Sequence, residues 1–342
     1  SSCLSLPLAM SGDVGEEAII AALDRVLDEW LLTGILRAGA QKFIRDKIVG
    51  CSGTDKDTCV RVRQWLLLRM NKKVWQHGVP HMGLSPDTIP GVRTIPVWPN
   101  EEFSWLSAVE DCHQVIVDEL LSVRGSGTFQ PYRDPPREIV GKEQIPSDGI
   151  GIEGVDRGAW NVAYLFLNHK KFEDNCSRFP RTIEAISSVF PRHYTHAFFS
   201  ALTPNSHILP HHGPSNRMLR VWLPLCGLDG FRLRVGDQIV TPQAGKAFVW
   251  DHSFEHEAWH DGDETRIVLI VDIWHPDLTD DEVKFLKTLQ NARLKAGREL
   301  LEREGNGAID DTYYGIVERT RGLLTSDDWW VIKAERGEQV VN

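Results

Sequence analysis

From Asn161 onward the chain abandons helical spacing, and its apolar residues gather in short β-type runs. The runs are Val162–Leu167, His196–Leu202, Met218–Leu225, Phe231–Val235, Ala247–Trp250 and Arg266–Trp274, separated by Gly- and Pro-containing turns. Many short strands punctuated in this way predict a sandwich or barrel, not a doubly wound parallel sheet. A single helix, about Arg181–Val189, interrupts them after the first run.

The flanks read as helical. Ile19, Ile20, Leu23, Val26, Leu27, Trp30 and Leu31 recur at helical spacing, Ile35–Val49 carries a broad apolar face, and Val60–Val74 adds Trp65, Leu66, Leu67, Leu68 and Met70. Three amphipathic helices with short connections predict a small helical unit. The Pro/Gly-dense stretch His77–Thr94 marks a loop or junction. The expected organisation is an N-terminal helical unit over residues 1–88 and a mainly β domain over 89–342. A helix is expected at about Ser107–Val123, and others after Pro276, at Thr279–Arg303 and beyond Thr312. Asp280, Asp281 and Glu282 suit the first turn of the Thr279 helix, where the helix dipole favours acids. Gly125–Gly158, with few apolar residues, reads as a long loop of the kind that covers active sites.

Composition limits the partners. The chain has 342 residues, 42% apolar and 25% charged, which is enough to bury a core without disulfide support. A formal charge of -10 argues against nucleic acid and anionic membranes, which demand basic surfaces. No run approaches the roughly 18 apolar residues of a membrane span, so a soluble protein is expected. Ser1–Met10 is small and apolar and lacks the charged start of a secretory signal; it suits the remnant of a removed targeting segment. Compartment and oligomeric state stay open. None of the six cysteines forms a C-x-x-C pair, which argues against a thiolate zinc site. Cys51 and Cys59 bracket a polar loop and would pair only in an oxidising compartment.

The chemistry sits among the histidines. His211 lies in a turn, Pro210-His211-His212-Gly213-Pro214-Ser215-Asn216, and His256 in Trp250-Asp251-His252-Ser253-Phe254-Glu255-His256-Glu257. Arg266 opens an otherwise apolar strand ten residues later. Two imidazoles at neighbouring strand ends can converge on iron, zinc, copper or nickel. A guanidinium in apolar surroundings needs a partner, which a dicarboxylate supplies through a bidentate pair. The order His, His, Arg is the layout of iron- and 2-oxoglutarate-dependent oxygenases, which usually add a carboxylate two residues after the first histidine. Gly213 holds that position here. His212 points to the opposite face from His211. Asp251, Glu255 and Glu257 are candidates to orient the imidazoles; His207, His252 and His260 are expected at the surface, around the site or in packing.

Four segments carry a more specific likeness. They are Ile89-Pro90-Gly91-Val92-Arg93 with Pro96, Trp98 and Phe103-Ser104-Trp105-Leu106; His211 to Leu225; Phe254-Glu255-His256-Glu257-Ala258-Trp259; and Arg266 to Pro276. Together they resemble the aspartyl/asparaginyl β-hydroxylase family over about Ile89–Thr279. The resemblance implies a double-stranded β-helix, a jelly-roll or cupin-like α+β fold with flanking helices. It implies His211 and His256 as Fe(II) ligands with glycine in place of the third. It implies Arg266 on the distal carboxylate of 2-oxoglutarate with Ser200 assisting, and Arg220 near the iron in carboxylate binding. Cofactors would be Fe(II), 2-oxoglutarate and O2; the reaction would hydroxylate a peptidyl Asp or Asn, or a small molecule, releasing succinate and CO2. Trp222 and Met218 replace a cofactor-contacting histidine and an arginine of the animal enzymes, with Arg217 one residue away. Cys176 lacks its disulfide partner, Ile183 standing in its place.

Three other readings differ in what they require. A halogenase would seat chloride beside Gly213. A silent protein of the same fold would have Trp222 filling the cosubstrate pocket. A zinc or nickel cupin would leave Arg266 without a task.

Overall fold

The computed structural model describes residues 16–29, 32–132, 154–168, 170–304, 317, 320–324, 326 and 328–332. The chain divides into two compact units, one from Ser1–Val74 with Thr279–Gly297, the other from Trp75–Leu278 with Arg298–Asn342.

In the first unit, α1 (Glu16–Glu29) buries Ile19, Leu23, Val26 and Leu27 on one face. Helix α2 (Gly34–Phe43) passes into a π-helical turn, Ile44–Val49, and α3 (Val60–Met70) buries Val62, Trp65 and Leu66. Phe43 stacks on Phe285 of the late helix at 5.3 Å. That helix starts with a capping box: the Glu282 amide donates to Thr279 Oγ1 at 3.1 Å, and the Thr279 amide donates back to Glu282 Oε2 at 3.0 Å. Cys51 and Cys59 are both free thiols, so the pairing contemplated for an oxidising compartment is not made. Burial pushes the Cys59 thiol up to about 12.

The second unit starts with the loop that sequence alone assigns up to residue 88 to the helical unit. Backbone hydrogen bonds tie it to the β elements instead. Glu255 N–H donates to His81 O at 2.6 Å and Gly83 N–H to Ser253 O at 2.8 Å. The Asn216 side chain accepts from Ile89 N–H at 2.7 Å and donates to Ile89 O at 3.0 Å.

Two helices, α4 (Leu106–Asp111) and α5 (His113–Ser122), precede strands β1 (Gln130–Pro131), β2 (Val155–Arg157), β3 (Trp160–Leu167) and β4 (Lys170–Lys171). After α6 (Glu173–Arg178) and α7 (Pro180–Val189) come β5 (His193–Leu202), β6 (Ser206–His211), β7 (Met218–Cys226) and β8 (Phe231–Val235). Then follow β9 (Gln238–Val240), β10 (Phe248–Trp250), β11 (His256–His260) and β12 (Arg266–Trp274), and α8 (Asp280–Glu304) ends the series. Residues 133–153 of the expected active-site loop lie outside the described residues, as does most of the tail after 304.

All strand pairs are antiparallel and fall into two sheets: β1-β3-β5-β12-β7-β10 with β4 beside β3, and β2-β6-β11-β8-β9. From β5 to β12 the chain alternates between the sheets, the β8–β9 hairpin apart, which is the double-stranded β-helix expected from sequence. Strand alternation explains the large sheet. Ile267, Leu269, Val271 and Ile273 of β12 join Phe199, Val221 and Leu223 in a core under α4, α5 and α7. Val268 and Ile270 join Phe198 and Trp222 in the core between the sheets, facing Ile208, Leu233 and Ala258. Strand β12 is buried at all nine positions, so its apolar run is continuous instead of alternating. Arg266 and Asp272 share the parity of Val268 and Ile270, and so face the inter-sheet core.

Candidate metal and cosubstrate site

His211 ends β6 and His256 begins β11, and the two are register partners. Both strands escape the six sequence runs because they are short and carry polar residues. In β6 a proline precedes the histidine; Leu209 and Pro210 lie opposite Glu257, where the register shifts. The ring centroids stand 4.1 Å apart. Each Nδ1 meets a carbonyl two residues back, His211 to Leu209 O at 2.7 Å and His256 to Phe254 O at 2.8 Å. A carbonyl only accepts, so Nδ1 carries the proton and Nε2 the lone pair in both neutral rings. Burial, and then the neighbouring His211, hold His256 well below the ordinary imidazole value. His256 is thus neutral, and both rings are orientated as metal-binding imidazoles must be.

One cleft between the sheets is lined by both histidines and by Ser200, Arg220, Trp222 and Arg266. Every site residue expected from sequence therefore borders the same space. Trp250 stands edge-on to His256 at 4.8 Å and to Trp222 at 5.5 Å. The Arg266 guanidinium lies 5.4 Å from the Trp222 ring centre and 4.4 Å from that of Phe231.

Arg266 is wholly buried and, among the described residues, has no carboxylate partner. Its Nη1 donates to Ser200 O at 3.1 Å and Ser200 Oγ at 3.3 Å, while Nε and Nη2 meet no acceptor. Burial lowers its pKa to about 9, which still leaves it charged at neutral pH. Trp222 Nε1 is likewise buried without a partner. Ser200 Oγ also accepts from Trp160 Nε1 at 3.0 Å. Two orphaned guanidinium nitrogens and an indole N–H in one cleft match an anionic guest.

Arg220 sits differently from the role the resemblance implied. Its Nε and Nη2 donate to the two oxygens of Asp272 at 2.9 and 3.1 Å, a bidentate pair inside the chain. His196 Nδ1 approaches the same carboxylate at 3.0 Å. Burial would raise Asp272, but Arg220 and His196 outweigh it and hold the carboxyl far below its usual range. Asp272 therefore serves Arg220, not Arg266. Arg217, which the Met218 substitution brought into question, pairs with Asp87 at 3.1 Å and bonds Ser215 Oγ at 3.1 Å.

The acids proposed to orient the imidazoles are engaged elsewhere. Glu255 and Glu257 pair with Arg234, and Asp251 Oδ1 accepts from Ser253 N–H at 2.9 Å. Backbone carbonyls do the orienting instead. His212 turns to Ser253 O at 3.2 Å, and His207 stacks on Trp259 at 5.5 Å. His260 bonds Glu264 O at 2.6 Å. His252, expected around the site or at the surface, is 2% exposed with neither ring nitrogen partnered. Among the described residues, no three His, Cys, Asp or Glu side chains form a ready metal cluster.

Residues 110–276 match the family model described as aspartyl/asparaginyl beta-hydroxylase. Over these residues the chain is similar to the aspartyl/asparaginyl β-hydroxylase family. The mouse aspartyl/asparaginyl beta-hydroxylase is 28% identical over 225 residues, 63% of this chain and 27% of the relative. The chain thus spans about a quarter of that protein. An ornithine lipid ester-linked acyl 2-hydroxylase from Rhizobium tropici is 32% identical over 184 residues, 53% of this chain and 61% of the relative. A Pseudomonas putida prolyl-4-hydroxylase structure aligns with a TM-score of 0.30 and 15% identity, covering 48% of this chain and 87% of that one. The hydroxylase-family fold stands on the strand order given above. Among the described residues no helix is long and apolar enough to cross a membrane.

Proposed function

We propose that the chain is an Fe(II)- and 2-oxoglutarate-dependent dioxygenase that hydroxylates an aspartyl or asparaginyl side chain, or a related small molecule, and releases succinate and CO2. The observation that carries this reading is Arg266. A buried guanidinium with two unpartnered nitrogens costs several kcal/mol unless a carboxylate completes it. A dicarboxylate reaching from the histidine pair to Arg266 supplies that partner.

In this reading His211 and His256 hold the metal through Nε2, their rings locked by the Leu209 and Phe254 carbonyls. Bound iron would supply the activation of O2 and the oxidative chemistry that no side chain offers. Arg266 grips the distal carboxylate of 2-oxoglutarate, and the Ser200 hydroxyl and Trp222 Nε1 offer further hydrogen bonds. Trp222, Trp250 and Ile270 keep the walls apolar and strengthen these contacts by excluding water. Asp272 holds Arg220 beside the histidines; an acidic substrate would compete with Asp272 for that guanidinium.

The printed names of the relatives divide between aspartyl or asparaginyl groups and a lipid acyl chain. The substrate class proposed here follows the family. The halogenase reading would seat chloride beside Gly213, and a chloride-dependent mass shift of the product would favour it. Anaerobically loaded protein given O2 should form succinate from 2-oxoglutarate. His211→Ala should abolish this, and Arg266→Met should reduce it at least about tenfold at subsaturating cosubstrate. Cosubstrate binding without any succinate, in the presence of candidate substrates, would favour a silent binding protein.

A further inference from the structure

Residues of the tail, beyond the stretch 110–276 that matches the family model, return to the β unit and grip it at two places. The first is Thr265, the residue before Arg266. Its N–H donates to Val331 O at 2.8 Å, and its Oγ1 accepts from Val331 N–H at 2.9 Å and donates to Trp329 O at 2.7 Å. A hydroxyl can accept and donate at once, so the three bonds coexist. Thr265 is buried, and buried Trp330 joins the core of Val123 and Phe129 while Arg124 Nη2 donates to its carbonyl at 2.8 Å.

The second place is Gln130 on β1. Its Nε2 donates to Val317 O at 2.7 Å and to Thr320 Oγ1 at 2.8 Å. Two residues on, Tyr132 N–H donates to Trp160 O at 2.8 Å, and the two rings stack at 3.8 Å. Trp160 Nε1 in turn donates to Ser200 Oγ, which also accepts from Arg266. Both grips therefore lead to the guanidinium. Arg266 is the first residue of β12, and strand ends fray unless they are tied down. Bonds to Ser200 through Nη1 leave its other two nitrogens open, so the aim of the guanidinium depends on how the backbone at Thr265 is held.

We propose that the tail is a clasp that aims Arg266 at the distal carboxylate of 2-oxoglutarate, with Thr265 as the positioning residue. The proposal rests on the reading of Arg266 as the cosubstrate anchor. A clasp that favours the cosubstrate must, by linkage, be tightened by it.

The test uses the full chain loaded with Co(II), a redox-stable probe. Calorimetry reads 2-oxoglutarate affinity, and chelator competition reads Co(II) affinity. Thr265→Val keeps the shape and removes the hydroxyl. It should weaken 2-oxoglutarate about three- to tenfold, the worth of one neutral hydrogen bond, with Co(II) affinity within about twofold of wild type. Thr182→Val removes a comparably buried hydroxyl, bonded to Glu119 at 2.9 Å on α7, and should change neither affinity. Unchanged 2-oxoglutarate affinity in Thr265→Val, while Arg266→Met loses it, overturns the clasp alone. An equal loss in Thr182→Val would make the effect one of general stability and overturns it too. Unchanged affinity in Arg266→Met overturns the cosubstrate reading, and this proposal with it. Should Thr265→Val fail to fold, hydrogen exchange of the wild type decides. Adding 2-oxoglutarate to the Co(II)-loaded protein should slow exchange of the Thr265 and Val331 amides, and unchanged exchange overturns the proposal.

Discussion

Two arginines on the inner face of one sheet, Arg266 wholly buried and Arg220 part-buried, have opposite fates. Arg220 is completed by Asp272, and Arg266 is left incomplete. Replacing Arg266 by Met should therefore stabilise the apo protein by about 1 kcal/mol, because an uncompensated buried charge is removed. In thermal melts this would appear as a rise of about 2–4 °C. The same variant should weaken 2-oxoglutarate binding by about a hundred- to ten-thousandfold, the worth of two charge-assisted hydrogen bonds; calorimetry on metal-loaded protein reads it. Arg220→Met should behave in the opposite way and cost about 2–3 kcal/mol in urea unfolding, since it leaves buried Asp272 with His196 alone. The sequence made Arg266 visible, because a charge opening an apolar strand needs a partner. It hid the Arg220–Asp272 pair, which exists only through the register of β7 against β12.

At the level of elements, the legible strands were those whose apolar residues run unbroken, as in β12, or alternate strictly, as in β8. The bounds of β8 and β12 coincide with their apolar runs. Strands β6 and β11, which carry the two histidines, were not among the runs. They alternate buried with less buried positions, carry polar side chains and meet at a register shift. The connection at 75–88 belongs with the β unit and not with the helical unit to which composition assigned it: Pro and Gly density marks a loop but not the unit it serves. Asn216 is the fastening that can be tested. Asn216→Leu leaves the buried Ile89 N–H and C=O without their side-chain partner and should cost about 2 kcal/mol or more. Hydrogen exchange should show the Ile89 amide losing protection before the strands do. Unchanged exchange there would mean that the loop is held by other contacts.

For the molecule as a whole, buried titratable groups set the response to acid. His252, held down to about 3, His256 and His260 are all lowered by burial. The unfolded chain takes up these protons near pH 6.5 while the folded chain does not, so stability falls as pH drops below that value. Asp272 adds the same sign at lower pH. Asp251, raised to about 7 by burial, has the opposite sign, because the folded state binds its proton first. Three histidines outweigh one carboxyl. Urea unfolding between pH 6.5 and 4.5 should therefore lose at least about 1.4 kcal/mol per pH unit, one net proton's worth. A flat profile would contradict the burial of these rings. The jelly-roll architecture and the family stretch were legible at this scale through the spacing of motifs. The reacting substrate was not, since the orphaned nitrogens of Arg266 and Trp222 call for an anionic guest and say nothing of the molecule beside it. The central claim is that one cleft holds both a metal and that dicarboxylate. Anaerobic Fe(II) titration in the presence of 2-oxoglutarate tests it most directly. Wild type should develop a visible metal-to-ligand charge-transfer band that His256→Ala lacks, and a folded wild-type protein with no band would contradict the account.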